Sequence, residues 1–243
     1  MSAERETRSA ESAQRHNRKK TLVCFALEEE AKGLAWKVWG MWGQVLITGI
    51  GKNNAERSVR NFLVNHSPKR VFTCGFAGGL DPALVIGDVV FSTDDLALRE
   101  KLTAAGAKPA KFFCAPRMVT TIAEKAELRR TAGADAVEME SEVIHAVCRE
   151  RGIPCATVRG ISDTANEDLP LDFNQLVKPD MNLDYGKLAW AIVKSPGKIG
   201  ALLRLQKQTR LAAERIAAVV AQAIGPCPGT SPAQRGAQRQ DVP

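Results

Sequence analysis

The sequence predicts an α/β domain built around a largely parallel inner sheet, and three observations carry that expectation. Continuous apolar runs such as Thr21-Leu22-Val23-Cys24-Phe25-Ala26-Leu27 are the pattern of strands buried on both faces. These runs alternate with helical stretches, as in βαβ architecture. The runs end in glycine or an acid, and the carboxyl ends of strands are where open α/β sheets bind ligands.

Composition narrows the function classes. The chain has 243 residues with 44% hydrophobic content, enough for a full core and most simply one domain with tails. No apolar run approaches the roughly 18 residues that a membrane helix needs. The six cysteines are scattered without a CxxC pair, and only three histidines accompany them. Reduced thiols in a cytoplasmic protein are therefore expected, with no metal and no cofactor. The net charge of +7 is unevenly placed. Residues Met1 to Lys20 hold six basic and three acidic side chains, which reads as a disordered leader because no hydrophobic h-region follows. Gly225 to Pro243, rich in Pro, Gly and Gln, reads as a second loose tail. That leaves 21–224 as the folded domain. Eight Phe, four Trp and one Tyr give little for stacking bases, so nucleic acid is not an expected partner.

Within the domain, the first strand runs straight into Glu28-Glu29-Glu30. Acids at a helix start are favoured by the helix dipole, which accounts for Glu28 and Glu29; Glu30 is the one held for function. Gln44 to Thr48 reads as an inner strand, followed by Gly49-Ile50-Gly51-Lys52 and a helix over Asn53 to Val64. Glycines at such a turn allow backbone amides close to a ligand. Arg70 to Cys74 is a third strand, and Gly75-Phe76-Ala77-Gly78-Gly79-Leu80 reads as a second glycine-rich turn. Ile86 to Phe91 supplies a turn and a fourth strand. Asp94 to Lys111 is helical and polar, Lys111 to Thr121 extended, and Ala123 to Ala132 helical.

Then comes Ala136-Val137-Glu138-Met139-Glu140-Ser141. In extended geometry Glu138 and Glu140 share one face while Val137 and Met139 take the other, and two acids beside a core need a partner such as a sugar's vicinal hydroxyls. A helix N-terminus favouring acids is the plainer reading. A helix from Glu142 to Arg151 ends at Gly152, a suitable left-handed cap. Ile153 to Arg159 is one more buried strand, stopping at Gly160-Ile161-Ser162-Asp163. Asp163 is a candidate acid or, alternatively, a turn or N-cap aspartate. Beyond Pro196-Gly197, Ala212, Ile216, Val219 and Ala223 recur at helical spacing and read as core.

Six stretches stand in the order found in the nucleoside phosphorylase superfamily: Ala26-Leu27-Glu28-Glu29-Glu30, Gly49-Ile50-Gly51-Lys52, Gly75 to Leu80, Gly87-Asp88-Val89-Val90, Val137-Glu138-Met139-Glu140 and Arg159 to Asp163. Over roughly Leu22 to Asp163 the chain resembles its methylthioadenosine/S-adenosylhomocysteine nucleosidases, and its hopanoid-associated branch looks similar too. The resemblance implies a three-layer α/β/α domain around a central mixed, largely parallel sheet, commonly a homodimer. It further implies that Glu30 deprotonates an attacking water and that Asp163 protonates the purine N7. Glu140 and the Met139 backbone would clamp the ribose hydroxyls, with Arg159 steadying the site. Glu138, Ser162, Phe76, Ala77, Gly78 and Ile50 would complete the nucleoside pocket. Such chemistry requires Asp163 in its protonated form, favoured by burial or by a neighbouring acid.

Three departures refine the expectation. Thr73 stands where phosphate-using members have Arg, and Phe76 where many members place Ser or Thr, which favours water over phosphate; Lys52 or Arg117 would have to build any anion pocket. The segment from Phe91 to Glu138 is short, so the base-binding part is rebuilt around Phe112 to Met118. Finally, Tyr185 to Leu211 carries Lys187, Lys194, Lys198, Arg204, Lys207 and Arg210 with no acid, among Trp190 and several aliphatic residues. That stretch is either an ordinary packing helix with a solvated basic face or a peripheral membrane contact serving a lipid-linked nucleoside. A non-catalytic nucleoside-binding protein is the alternative outside enzymes.

Overall fold

The computed structural model describes residues 21–32, 34, 43–176, 187, 190 and 194–224. The leader expected over 1–20 and the tail expected over 225–243 lie outside the described residues, as does part of 185–211.

Among the described residues a mixed sheet of eight strands forms the centre. Its strands are β1 (Thr21–Phe25), β2 (Gly43–Ile47), β3 (Arg70–Gly79), β4 (Val89–Thr93), β5 (Lys108–Pro109), β6 (Phe112–Cys114), β7 (Ala136–Glu138) and β8 (Cys155–Asp163). They lie in the order β2-β1-β3-β8-β4-β5, with β7 antiparallel to β3 and parallel to β6. β2, β1, β3 and β8 run parallel, and β4 is antiparallel to β8. The helices are α1 (Glu28–Ala31), α2 (Lys52–Asn65), α3 (Leu96–Ala104), α4 (Ile122–Ala132), α5 (Ser141–Glu150) and α6 (Ile199–Ile224).

Side-chain alternation along the strands builds the layers. Val23 and Phe25 of β1 face the same cluster as Phe72, Val158, Leu98 of α3 and Ile216 of α6. Leu22 and Cys24 face the other side with Val71, Ala55 and Val59 of α2, and Ile144 and Val147 of α5. Helices thus cover both faces, the arrangement demanded by strands that are apolar on both sides. Ala212, Ile216, Val219 and Ala223 are all buried, as their spacing predicts. Among the described residues no helix is long and apolar enough to cross a membrane.

Some boundaries differ from expectation. Gly75 to Gly79 is not a turn but the continuation of β3, paired with β8 from Val71↔Cys155 to Gly78↔Asp163, and with β7 at Gly78↔Val137. The glycines there provide room, not a bend. A methyl group on Gly75 would stand 2.7 Å from Glu30 Oε1, and one on Gly78 3.1 Å from Asp163 Oδ2. β8 likewise runs on to Asp163, so that residue ends a strand and caps no helix. Only Phe112–Cys114 of the segment expected to be extended is a strand, because β7 offers it only a three-residue partner. The α3 helix stops at Ala104, ahead of Gly106 at φ +88°.

Candidate active site

Parallel strands β1, β3 and β8 end side by side, so the residues just past them converge. Glu30 follows β1 on α1 and is buried. Its Oε2 accepts from the amides of Ala26 (2.9 Å) and Leu27 (3.0 Å), and its Oε1 from that of Phe76 (3.0 Å). Glu30 thus serves the start of α1, accepting from the amide of its N-cap Leu27. Yet the carboxylate also reaches across to β3. Burial pushes its protonation upward from the usual carboxylate range, against the pull of Arg159 and the three amides.

Arg159 is the hub. It is 1% exposed on β8, and its Nη2 donates to Glu138 Oε2 at 2.6 Å, Glu140 Oε2 at 3.4 Å and Thr73 Oγ1 at 3.4 Å. Burial works against the guanidinium's charge, but Glu138, Glu140 and Glu30 outweigh it and raise its basicity above the ordinary arginine range. A charge this deep persists only where it is paired.

The two acids around Met139 part company in role. Glu138 Oε2 accepts from the amides of Glu140 (3.0 Å) and Ser141 (2.8 Å), and Oε1 from the Ser141 hydroxyl (2.7 Å). It therefore caps α5 and anchors Arg159. For Glu138 burial raises the protonation tendency, but Arg159 and these donors bring it below the ordinary range. Glu140 Oε1 accepts from the Gly51 amide at 3.0 Å. Gly51 sits at φ +85°, which glycine adopts without cost, and its amide is aimed at Glu140 instead of at a ligand. Burial first, then Glu138 and Glu30, push the Glu140 carboxyl up to about 7, opposed by Arg159 and Gly51.

Asp163 ends β8 on the same side. Ser162 Oγ donates to its Oδ1 at 2.7 Å, and also lies 3.4 Å from Ala77 O. The neighbour of Asp163 is not an acid, as one route to a protonated carboxyl requires, but a cation: Lys125 Nζ of α4 lies 2.6 Å from Oδ2. The sequence reading missed this lysine because α4 is otherwise polar. Its signal was placement on the helical stripe of Ile122, Leu128 and Ala132, where a solvated lysine is out of place.

Phe76, Ala77 and Gly78 line β3 between Glu30 and Asp163. Ile50 and Met139 pack together with Ala26 and Met118, an apolar wall beside Glu140. Asn174 clips the Met118 backbone at both its amide and carbonyl (3.0 Å each), fixing the rebuilt middle of the chain. Lys52 is tied to Glu142 and Arg117 to Glu124, each at 2.5 Å. Among the described residues no group of His, Cys, Asp and Glu could hold a metal ion.

Comparison with known proteins bears on the family and the fold. The family model of the phosphorylase superfamily matches residues 40–117 and 96–194. A 5′-methylthioadenosine/S-adenosylhomocysteine nucleosidase of Shewanella oneidensis is 30% identical over 165 residues, 54% of this chain and 70% of that protein. Two solved structures share the fold. The nucleosidase of the same name from Neisseria meningitidis, in complex with methylthio-immucillin-A, superposes with a TM-score of 0.62 at 20% identity, covering 85% of this chain and 98% of that one. Futalosine hydrolase of Helicobacter pylori gives 0.60 at 18% identity, covering 84% and 98%.

Proposed function

The chain belongs to the phosphorylase superfamily and is an enzyme acting on N-glycosidic bonds, and from that premise we propose that it hydrolyses a purine nucleoside of the adenosine type. The observation that carries this reading is the sharing of one buried guanidinium, Arg159, among the acids Glu30, Glu138 and Glu140, with Asp163 at the end of the same strand.

Cleavage of a glycosidic bond passes through an oxocarbenium-like state, so a nucleophile is needed on one side of the sugar and a proton for the leaving base on the other. Glu30 uses three of a carboxylate's roughly four lone-pair sites on backbone amides, which leaves one to take a proton from water. Glu140 and the Met139 backbone receive the ribose hydroxyls. Glu138, whose oxygens are engaged internally, serves binding indirectly by fixing Arg159. Asp163, steadied by Ser162, protonates the purine, which lies along Phe76, Ala77 and Gly78. Ile50 and Met139 offer an apolar wall to the 5′ substituent.

Water is the proposed nucleophile, not phosphate. The amide of Phe76 donates to Glu30, and the cations Lys52 and Arg117 are already paired with carboxylates. An incoming phosphate would meet Glu30 head on. Incubation with methylthioadenosine, S-adenosylhomocysteine, adenosine and a futalosine-like nucleoside, with and without phosphate, tests this. Free base and free sugar are expected in both buffers. A sugar 1-phosphate would replace hydrolysis by phosphorolysis, and binding without any cleavage would favour a nucleoside-binding protein.

A second reading keeps the chemistry and changes the substrate. Trp190 is 60% exposed with Lys194 5.1 Å over its ring, and Ile199 and Leu203 are exposed nearby on the basic start of α6. Together with Lys198, Arg204 and Lys207 they suit an anionic membrane surface bearing a lipid-linked nucleoside. The working form is proposed to be a cytoplasmic homodimer, in keeping with the five described cysteines, all free; light scattering tests its size.

A further inference from the structure

Lys125 is a lysine with a fully buried side chain that the site described so far leaves without a role, and that is a costly place for an ammonium. The helix α4 carries it inward between α4 and the loop after β8. Its Nζ donates to Thr164 O and Glu167 O, both at 2.7 Å, and lies 2.6 Å from Asp163 Oδ2. Two of its three N–H groups are thus fixed by carbonyls, and the third has only Asp163 to serve.

The oxygen it approaches is itself distinctive. Asp163 Oδ1 is held by Ser162, whereas Oδ2 is buried and receives no well-directed hydrogen bond even though the ammonium is within contact distance. Oδ2 also faces Gly78, where a methyl group would stand 3.1 Å away, so it borders the stretch of β3 against which the base is placed. An under-used acceptor thus lies between a lysine and the position of the leaving group.

Building on the hydrolase reading above, we propose that Lys125 and Asp163 work as one proton-sharing pair, with Lys125 the positioning residue whose ammonium supplies the proton that Asp163 delivers. In the resting pair the proton sits on Nζ beside the carboxylate. As the bond between the sugar C1′ and the purine nitrogen breaks, its electron pair moves into the purine ring. One Nζ–H bond breaks and an Oδ2–H bond forms, then that proton passes to the purine, leaving a neutral amine beside a carboxylate. Water contributes its oxygen to C1′ and its proton to Glu30. Solvent later returns a proton to the pair and removes one from Glu30, so the cycle balances as nucleoside plus water giving sugar plus neutral base.

This arrangement answers the difficulty that Asp163 has no acidic neighbour to keep it protonated. The pair is neutral before the step, so the site does not have to bury an uncompensated charge while it waits for substrate. Only on bond cleavage does a proton leave, which matches the moment at which the leaving group needs it.

The test compares leaving groups. Lys125→Met keeps the length of the side chain and removes the proton. It is expected to lower turnover of the adenosine derivative that wild type cleaves by about two to four orders of magnitude. Cleavage of a nitrophenyl riboside, whose leaving group departs as a stable anion and needs no proton, should fall by less than about tenfold, because a positioned acid matters only to a leaving group that must be protonated. An equal loss on both substrates would make Lys125 a purely structural residue and overturn the proposal, as would no loss on either. If Lys125→Met fails to fold, Lys125→Arg takes its place, since a guanidinium keeps the charge but does not give up its proton. The same selective loss supports the pair, and adenosine-type activity near wild type in Lys125→Arg refutes it. Failure of wild type itself to cleave any nucleoside would refute the hydrolase reading, a different result from wild-type activity that survives both substitutions.

Discussion

Replacing Gly75 with alanine puts the arrangement around Arg159 under a graded strain. The added methyl would stand 2.7 Å from Glu30 Oε1 and closer still to Arg159 Nη1. Ordinary contact begins near 3.4 Å, so the carboxylate must retreat by about 0.7 Å and the guanidinium by more, a displacement of the order that costs about 100-fold in rate when it falls on reacting groups. Overpacking of this kind destabilises by about 1–3 kcal/mol, which a domain of this size tolerates. Adenine release under saturating substrate should therefore drop about 100-fold while the far-ultraviolet circular dichroism and cooperative melting are retained. Gly200→Ala, with nothing within 4 Å of the added methyl, serves as the control and should leave turnover unchanged. A folded Gly75→Ala protein working within a few-fold of wild type would show that the Glu30–Arg159 geometry is not what the reaction depends on.

Asp163→Asn should lower turnover by about two to four orders of magnitude with substrate still bound, and Glu30→Gln likewise, because an amide can neither give nor take the proton; near-normal rates in folded variants would remove either residue from the mechanism. With its carboxyl at about 7 in the folded protein, Glu140 should be largely ionised only above that pH. Log kcat/KM should then climb with pH up to about 7, and Glu140→Gln should flatten that limb; a limb unchanged in the variant would refute the assignment. The sign for stability is opposite. The unfolded chain ionises near 4.5 while the folded protein keeps the proton, so this group's contribution is complete below 4.5 and lost as pH rises through about 7. Melting temperatures of wild type should accordingly fall relative to Glu140→Gln between pH 5 and 8. For the membrane reading, wild type should float with anionic vesicles at low salt and less at high salt, with Lys194→Glu, Lys198→Glu doing neither; wild type staying soluble at low salt reduces the basic start of α6 to a solvated face.

Much of this was legible in the chain itself, for a reason that also marks its limit. The buried runs of β1, β3 and β8 declare themselves because strands covered on both faces leave no room for polar alternation, and Glu30 and Asp163 could be picked out because one stands shortly after such a run and the other ends one. What stayed hidden depends on contacts between distant parts of the chain. Gly75 to Gly79 reads as a turn because its real cause, the room that Arg159 and Asp163 require, lies on another strand. The amide of Gly51 meets Glu140 rather than a ligand, a pairing that no local spacing announces. Lys125 drew no reading from the sequence, because its partner Asp163 lies 38 residues further along the chain. Glu138 and Glu140 read as equivalent by alternation, and only the start of α5 separates the acid that caps it from the one that accepts from Gly51.

The close seat of α6 on β8 has a mechanical consequence. Between Arg159 and Asp163, a methyl on Gly160 would come within 3.0 Å of both the Ala212 Cβ and its carbonyl, so helix and strand touch almost backbone to backbone. Four residues earlier on α6, Gln208 donates to the carboxylate of Glu167, the residue whose carbonyl holds Lys125. The final helix therefore acts as a caliper, closing on the strand that carries the hub arginine at one jaw and on the loop that seats the lysine at the other. Whatever shifts that helix, whether a bulkier residue at Ala212 or a pull on its basic outer end, changes the span between the two jaws, and the chemistry inherits the tolerance of a helix from which it takes no reacting group.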